Sequence, residues 1–495
     1  MTTIDGIDAV LLDIGGTLIE EAPPLTPVDA LVARPLPGVI DTLHELAARF
    51  RLAAVTDTAL MHENDVRKLL APSGIDTLLT AVVTSCDVGA AKPAPRGVRE
   101  ALRRLDVAPE RALFIGDRDV DRDAAHAAGV RFVAVDRGFA DAIDRAREAP
   151  RGPFAASTTR VRPLDNVALE AARARQDVLT KPPGALGRLE ALGIQLAGLA
   201  GRCPPPVAAR PAIAVFAGDH GVVAEGVTPW PQDVTAQMIA NFVAGGAAIN
   251  VLARQVGATV HVVDVGVAAP LDHLQGIRHR KVREGTDDLA RGPAMRSVDA
   301  LQALDVGAEI ATELVQAGHD LLVTGDMGIG NTTPTAALIA ALTGRPGAEV
   351  TGRGTGIDDV MLRRKIDVVD AASARTRSYL DPLSVLSEVG GLEIAAVAGF
   401  IVGGAAARVP VVIDGVIACA ALLVAEALAP GVRELVVAGH RSPEPGATVA
   451  LDHLGMTPLL DLELRLGEGT GACLAVPLLQ CAARILDEMA TFDDL

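Results

Sequence analysis

The chain has 495 residues, of which 49% are hydrophobic and only 2% aromatic, and it carries a formal charge of -17 at pH 7. That length exceeds what one hydrophobic core usually spans, so two or more domains are expected, filled by aliphatic side chains rather than rings. Scarce aromatics and an excess of acid argue against nucleic acid as a partner, because stacking platforms and basic grooves are what bind it. Five cysteines (Cys86, Cys203, Cys419, Cys473, Cys481) are scattered without a C-x-x-C pair. This disfavours a disulfide framework or zinc site and fits a reducing cytoplasm. The N-terminus lacks the basic and apolar segments of a signal peptide. The most apolar stretch, Gly399 to Pro430, is interrupted by Arg408, Pro410, Asp414 and Glu426. It reads as a buried strand and helix, not a membrane span, so no membrane partner is expected.

Four short apolar segments come first in the chain: Ala9 to Leu12, Leu52 to Val55, Ala81 to Val83 and Ala112 to Ile115. Amphipathic stretches separate them, and this alternation predicts an α/β domain with a parallel, doubly wound sheet flanked by helices. Their following turns carry reactive groups: Asp13-Ile-Gly-Gly-Thr-Leu, then Thr56, then Lys92-Pro93, then Gly116-Asp-Arg-Asp-Val-Asp. With those motifs in that order, residues 1–146 resemble the haloacid dehalogenase-like hydrolases. The resemblance implies that Asp13 attacks phosphorus, and that Mg²⁺ is held by Asp13, a backbone carbonyl and Asp117, aided by Asp121. Lys92 and Thr56 would hold the phosphate oxygens. In that family the residue two after the nucleophile is generally an Asp that protonates the leaving group; here it is Gly15. The segment from Leu18 to Val39 is short and Pro-rich, so any cap over the site is small. Two readings stand: a Mg²⁺-dependent phosphatase, or a non-catalytic module that holds a phosphorylated ligand or a partner.

Residues 147–162 mix Arg, Pro, Gly, Ser and Thr without periodicity and read as a linker. Beyond it, strands are predicted at Ala212 to Phe216, Val260 to Val263, Leu321 to Val323, Val409 to Ile413 and Leu435 to Val437. They run into Ala217-Gly-Asp-His-Gly, Asp264-Val-Gly, Thr324-Gly-Asp-Met-Gly-Ile-Gly-Asn, Asp414-Gly and Ala438-Gly-His-Arg-Ser. A second doubly wound sheet would bring these loops together at the carboxyl ends of its strands. The loop from Gly325 to Thr333, before a helix at Pro334 to Leu342, can cradle a phosphate on its amides, although alone it reads equally as a tight turn. Another glycine loop, Thr351-Gly-Arg-Gly-Thr-Gly, is followed by Lys365. A third, Gly467-Glu-Gly-Thr-Gly, opens a helix from Ala472 to Met489. There Glu468 is either a capping acid or a catalytic carboxylate, and its position does not separate the two. Asp219 and His220 read as a loop-stabilising pair, since no further ligand lies at metal-binding spacing.

Eight ordered blocks carry a second resemblance. They are Leu179 to Glu190, Gly218 to Val222, Gln237 to Asn250, Met327 to Thr333, Gly352 to Gly356, Gly390 to Ala395, Gly439 to Ser442 and Arg465 to Ala472. On them, residues 163–495 resemble nicotinate-nucleotide:dimethylbenzimidazole phosphoribosyltransferases, which implies an α/β domain with an added small helical subdomain. The implied substrates are nicotinate mononucleotide and 5,6-dimethylbenzimidazole, with no metal or cofactor. The implied roles are Glu468 as general base, and Gly328, Gly330 and Asn331 as the phosphate cradle, with Ser442 and Lys365. Thr228, Gln237, Met327 and Leu466 would line the benzimidazole pocket. Asp326 stands where the family usually has Glu and would meet the ribose, and Asp288 stands where it has Asn. A cytoplasmic homodimer is implied, and the N-terminal domain could act on the product, α-ribazole 5′-phosphate.

Overall fold

Strand segments in both halves are apolar on successive residues, so each sheet needs cover on both faces. The structure, a computed structural model, describes residues 4, 7–23, 26–136, 138–147, 152–379 and 381–495. It divides into two compact units, Met1–Ala149 with Ser378–Ser384, and Pro150–Arg377 with Val385–Leu495.

The smaller unit carries β1 (Ala9–Leu12), β2 (Arg51–Thr56), β3 (Ala81–Thr84), β4 (Ala112–Gly116) and β5 (Arg131–Ala134). All neighbours are parallel, in the order β3-β2-β1-β4-β5. Because side chains alternate along a strand, Val10 and Leu12 pack with Leu43, Leu52 and Ile115 on one face, while Ala9 and Leu11 meet Val55, Val98 and Phe114 on the other. The chain winds outward from β1 to β3 and then returns to β4 on the opposite flank of β1. The crevice of such a sheet opens at that switch point, above β1 and β4.

The larger unit carries β6 (Pro211–Gly218), β7 (Thr259–Gly266), β8 (Ile277–His279), β9 (Leu321–Met327), β10 (Val411–Ile413) and β11 (Val436–Ala438). They are again all parallel, in the order β11-β10-β9-β6-β7-β8, with the switch between β6 and β9. On one face lies the helix Leu392–Ala406, buried from Leu392 to Ala405, whose Phe400 ring meets Phe216 edge-on at 5.4 Å. On the other, helix Thr470–Glu488 packs Ala472, Val476 and Leu479 against Ile213, Val215 and Val323. Helices Asn166–Val178 and Arg188–Ala200 join it through Ala172, Ala197 and Leu486, forming the small helical subdomain.

Four differences from the sequence reading have physical reasons. Strands β5 and β8 were not expected; both are edge strands, β5 opening on Arg131 and β8 being three residues long with Arg278 and the exposed His279. The expected linker contains the helix Pro153–Thr158, which buries Phe154 and takes a cap from Asp305, whose Oδ1 accepts from Phe154 N at 2.9 Å. The stretch from Gly399 to Pro430 holds the expected strand and helix, β10 and Val416–Leu428, but opens inside a further helix, Leu392–Ala406. The stretches Asp233–Val256 and Thr470–Glu488 have the length and hydropathy of membrane spans. The first breaks into helices Asp233–Ala244 and Ala248–Val256, and the second buries its apolar face as described.

Helix Leu392–Ala406 approaches helix Ser297–Gln316 so closely that two glycines are obligatory. A Cβ at Gly399 would lie 1.9 Å from the Leu304 carbonyl oxygen, and one at Gly307 would lie 1.8 Å from that of Ala396. Overpacking of this kind costs about 1–3 kcal/mol or more. Gly399→Ala is therefore expected to lower the unfolding midpoint of the full chain by several degrees in a thermal melt. An unchanged midpoint would mean that the helices separate without cost.

Candidate functional site

A cavity of about 270 Å³ opens at the carboxyl ends of β9 and β10. Thr228, Met327 and Leu466 supply an apolar side, and Gly328, Gly330 and Asn331 begin the turn into helix Thr332–Thr343. Asp326, Lys365, Ser442 and Glu468 line the same space. A larger, more open depression of about 440 Å³ lies beside helix Arg188–Ala200, lined by Arg188, Gln195, Arg433 and Glu434. No pair of buried acids converges there.

Backbone geometry separates the two readings of Glu468. Gly467, Glu468 and Gly469 are left-handed in succession, with φ of 82°, 64° and 91°. A non-glycine residue is costly there and persists only where its surroundings fix it. The acid that caps helix Thr470–Glu488 is Asp414 at the end of β10: its Oδ2 accepts from Gly469 N at 3.2 Å and its Oδ1 from Ala472 N at 2.9 Å. Glu468 is not that helix's cap. Its Oε2 accepts from Ile249 N at 3.3 Å in the first turn of helix Ala248–Val256, and Oε1 has no partner among the described residues.

Burial raises three carboxyls here. Asp326 is pushed up to about 8 by burial and by the charges of Asp414 and Glu393, against a bond from Asn331 Nδ2 to its Oδ2 at 3.0 Å. Asp414 rises to about 6 through burial, held back by the amides of Ala472, Gly471 and Gly469. Glu468 is raised by burial and by Asp414, against the Ile249 amide. The buried cation is Lys365, on helix Asp359–Arg375, which burial pulls down to about 8 despite Glu444, and the exposed Arg353 and Arg465 line the same cavity. Lys365 Nζ donates to Thr332 Oγ1 at 2.7 Å and to the Gly352 carbonyl at 3.2 Å. An ammonium and a helix N-terminus thus meet in a cavity that a poorly solvated carboxylate also lines.

Some expected residues stand elsewhere. Gln237 is exposed and does not line the cavity; Met238, one residue on and about 100° around the helix, does. Asp288 is also outside: it accepts from Ala290 N at 3.0 Å and pairs with Arg291 at 3.2 Å. The turns directly after β6 and β7 buttress the site, while Val227, Thr228 and Trp230 farther along the β6 connection line it. His220 Nε2 meets Glu393 Oε1 at 2.9 Å, and Asp219 Oδ2 accepts from Ala268 N at 2.8 Å. Asp219 and His220 thus act as a loop-stabilising pair. Two contributors were not foreseen. Glu444 Oε1 accepts from Gly354 N at 2.8 Å, and His440 Nε2 accepts from Leu464 N at 3.3 Å.

In the smaller unit the crevice between β1 and β4 holds Asp13, Asp117 and Asp121, with an oxygen from each lying within 4.8 Å of the others. Lys92 Nζ pairs with Asp13 and, at 2.5 Å, with Asp121; it also donates to the Val55 carbonyl at 3.3 Å, beside buried Thr56. Arg118, which was not foreseen, stands 3.8 Å from both Asp13 and Asp121. Thr17 Oγ1 donates to Asp117 Oδ1 at 3.0 Å. Burial raises Asp13 to about 7 despite Lys92. Asp13 Oδ2 is buried with no hydrogen-bond partner among the described residues. An all-oxygen donor set with such an orphan suits a hard divalent cation such as Mg²⁺.

A family model described as Phosphoribosyltransferase matches residues 161–495, and one described as Haloacid dehalogenase-like hydrolase matches residues 29–135. The second match begins beyond Asp13 and Gly15. The chain is 57% identical over 352 residues to the nicotinate-nucleotide–dimethylbenzimidazole phosphoribosyltransferase of Salinispora tropica, covering 68% of this chain and 97% of that protein. It is 56% identical to the protein of the same name from Chloroflexus aggregans, covering 67% and 94%. Among solved structures, CobT from Thermus thermophilus is 52% identical and covers 66% of this chain and 98% of its own, with a TM-score of 0.65.

Asp414→Ala would leave the amides of Gly469 and Ala472 unpaired in a buried setting. Losing such partners costs about 1–3 kcal/mol, so chemical denaturation should show a stability loss of that order. Asn, which keeps one acceptor oxygen, should recover part of it. Equal stability of Ala, Asn and wild type would remove Asp414 from the capping role.

Proposed function

The chain belongs to the nicotinate-nucleotide–dimethylbenzimidazole phosphoribosyltransferase family, and from that membership we propose how its larger unit works and what its smaller unit adds. The larger unit transfers phosphoribose from nicotinate mononucleotide to 5,6-dimethylbenzimidazole, giving α-ribazole 5′-phosphate and nicotinate for the lower nucleotide loop of cobalamin. The observation that carries the assignment of the base is the left-handed Glu468, directed to the cavity while Asp414 does the capping. Its carboxylate takes the benzimidazole N–H proton as the other ring nitrogen bonds to ribose C1′. The C1′–N bond breaks toward the pyridinium, which leaves as a neutral ring and needs no proton. A general base contributes most when its pKa lies near the working pH, and burial moves Glu468 in that direction. The 5′-phosphate rests on the amides at Gly328, Gly330 and Asn331, with Lys365 and Ser442, and the acid Asp326 meets the ribose. Homodimerisation through the larger unit and a cytoplasmic place of action belong to the same reading; a monomer mass by light scattering would count against the first.

Glu468→Gln should bind nicotinate mononucleotide yet lose about 10²–10⁴ in kcat; retention above roughly a tenth would end the base assignment. kcat/KM should fall in acid as Glu468 gains its proton, at a pH above the ordinary carboxylate range. It should also fall in alkali near pH 8 as Lys365 loses its own. Lys365→Met should raise KM and abolish the alkaline limb, and a limb that survives this change would belong to another group.

The smaller unit is haloacid dehalogenase-like, and the reading proposed for it is a Mg²⁺-dependent phosphatase acting on α-ribazole 5′-phosphate. The residues that would hold Mg²⁺ are Asp13 and Asp117, with Asp121. When bound, the ion supplies charge to offset the phosphoryl oxygens. Asp13 is the nucleophile, and Lys92 and Thr56 hold phosphate oxygens. Tethering the two sites on one chain raises the product's effective concentration, to about millimolar order where geometry allows. Gly15 favours the second reading, a module that binds phosphorylated ligands without turnover. With both substrates and Mg²⁺, the full chain should yield α-ribazole and phosphate. Asp13→Asn should stop at α-ribazole 5′-phosphate with nicotinate release unchanged. Excess chelator should have the same effect as Asp13→Asn. If mass spectrometry finds only the phosphorylated ribazole from wild type, the binding module is the better description.

A further inference from the structure

The acid expected two residues after Asp13 is absent, because Gly15 has no side chain. Its place is nevertheless not empty of carboxylate. A Cβ built on Gly15 meets a single atom within 4 Å outside its chain neighbours, Glu21 Cγ at 3.8 Å. The carboxyl carbon lies one bond beyond Cγ in Glu21, as it would lie one bond beyond Cβ in an Asp at position 15. A carboxyl on Glu21 and one on an Asp at position 15 would therefore branch from carbons in van der Waals contact.

This proximity is built by the backbone. Leu18 N and Ile19 N both donate to the Ile14 carbonyl, at 2.9 and 3.1 Å, and Gly16 N donates to the Ile19 carbonyl at 2.9 Å. Ile19 bridges both Gly15 and Pro35, and Glu20 N donates to the Arg34 carbonyl at 2.9 Å. The chain thus turns tightly after Asp13 and returns beside Gly15, where residue 21 follows. Charge distinguishes the two neighbouring acids. Glu20 faces Arg34 at 3.9 Å, whereas Glu21 has no ion-pair partner among the described residues and is exposed.

We propose that Glu21 is the general acid of the smaller unit, supplying from the returning segment the carboxyl that Gly15 lacks. This rests on the phosphatase reading. In the first step an Asp13 oxygen bonds to phosphorus, the P–O ester bond breaks, and the Glu21 carboxyl gives its proton to the departing alkoxide. In the second, water attacks the phosphoaspartate and phosphate leaves, restoring Asp13; the proton of the water goes to solvent, from which Glu21 regains its own. The substrate class is a phosphomonoester with a poor, alkoxide leaving group, the class that needs a proton donor most.

The leaving group separates this role from a structural one. A 4-nitrophenolate departs without a proton, whereas a sugar alkoxide does not. With Mg²⁺ and the full chain, Glu21→Gln should lose about 10²–10⁴ in kcat on ribose 5-phosphate and stay within about tenfold on 4-nitrophenyl phosphate. Adding Gly15→Asp to that variant should restore ribose 5-phosphate turnover, since the backbone at position 15 is not left-handed and a Cβ there makes only an ordinary contact. If Glu21→Gln leaves both activities intact, or lowers both alike, Glu21 is not the acid and the phosphatase reading stands. If wild type hydrolyses neither ester, or does so independently of Asp13, the phosphatase reading itself fails and this assignment falls with it.

Discussion

Both oxygens of the Asp414 carboxylate are committed to the amides of Gly469 and Ala472, and the geometry of the transferase cavity depends on that clamp. Three consecutive left-handed residues precede helix Thr470–Glu488, a conformation that a regular helix entry would not need. Holding a non-glycine residue there costs of order 1–3 kcal/mol. Glycine at position 468 would relieve it but remove the carboxylate. Strain kept at one residue flanked by two glycines is what is expected where function, not stability, sets the side chain.

The two sites handle buried acid in opposite ways. In the smaller unit, Lys92 lies between Asp13 and Asp121, and Arg118 stands near both, so cations neutralise much of the charge. That arrangement suits a phosphate dianion, which needs positive groups already in place. In the larger unit Asp326, Asp414 and Glu468 are raised together by burial, with amides and an Asn side chain as their partners. Lys365 is bonded elsewhere, to Thr332 and Gly352. A carboxylate kept from cations holds on to a proton better, which is what accepting one from an azole requires.

What the sequence made legible was local. Asp13-Ile-Gly-Gly-Thr-Leu, Asp117 and Asp121 could be read because each follows a strand closely, and the glycine loops marked the cavity for the same reason. What it concealed was set by distant contacts. The choice between cap and base at Glu468 turned on Asp414, 55 residues before Gly469. The helix inside the expected linker depends on Asp305, 151 residues beyond Phe154. Gln237 and Met238 differ only in which way they face on one helix. Edge strand β8 is three residues long, two of them Arg278 and His279, so no apolar run marks it. Glu21 lies six positions from Gly15, but only the turn through Ile14 and Ile19 shows that the two approach.

The central claim is that Glu468 removes a proton from the incoming azole. A series of benzimidazoles with increasingly acidic N–H groups tests it directly, with kcat measured for wild type and Glu468→Gln under saturating nicotinate mononucleotide. As the N–H becomes more acidic, less help from a base is needed, so the gap between the two enzymes should narrow steadily across the series. A gap that stays constant would show that Glu468 acts in some other way than as the base.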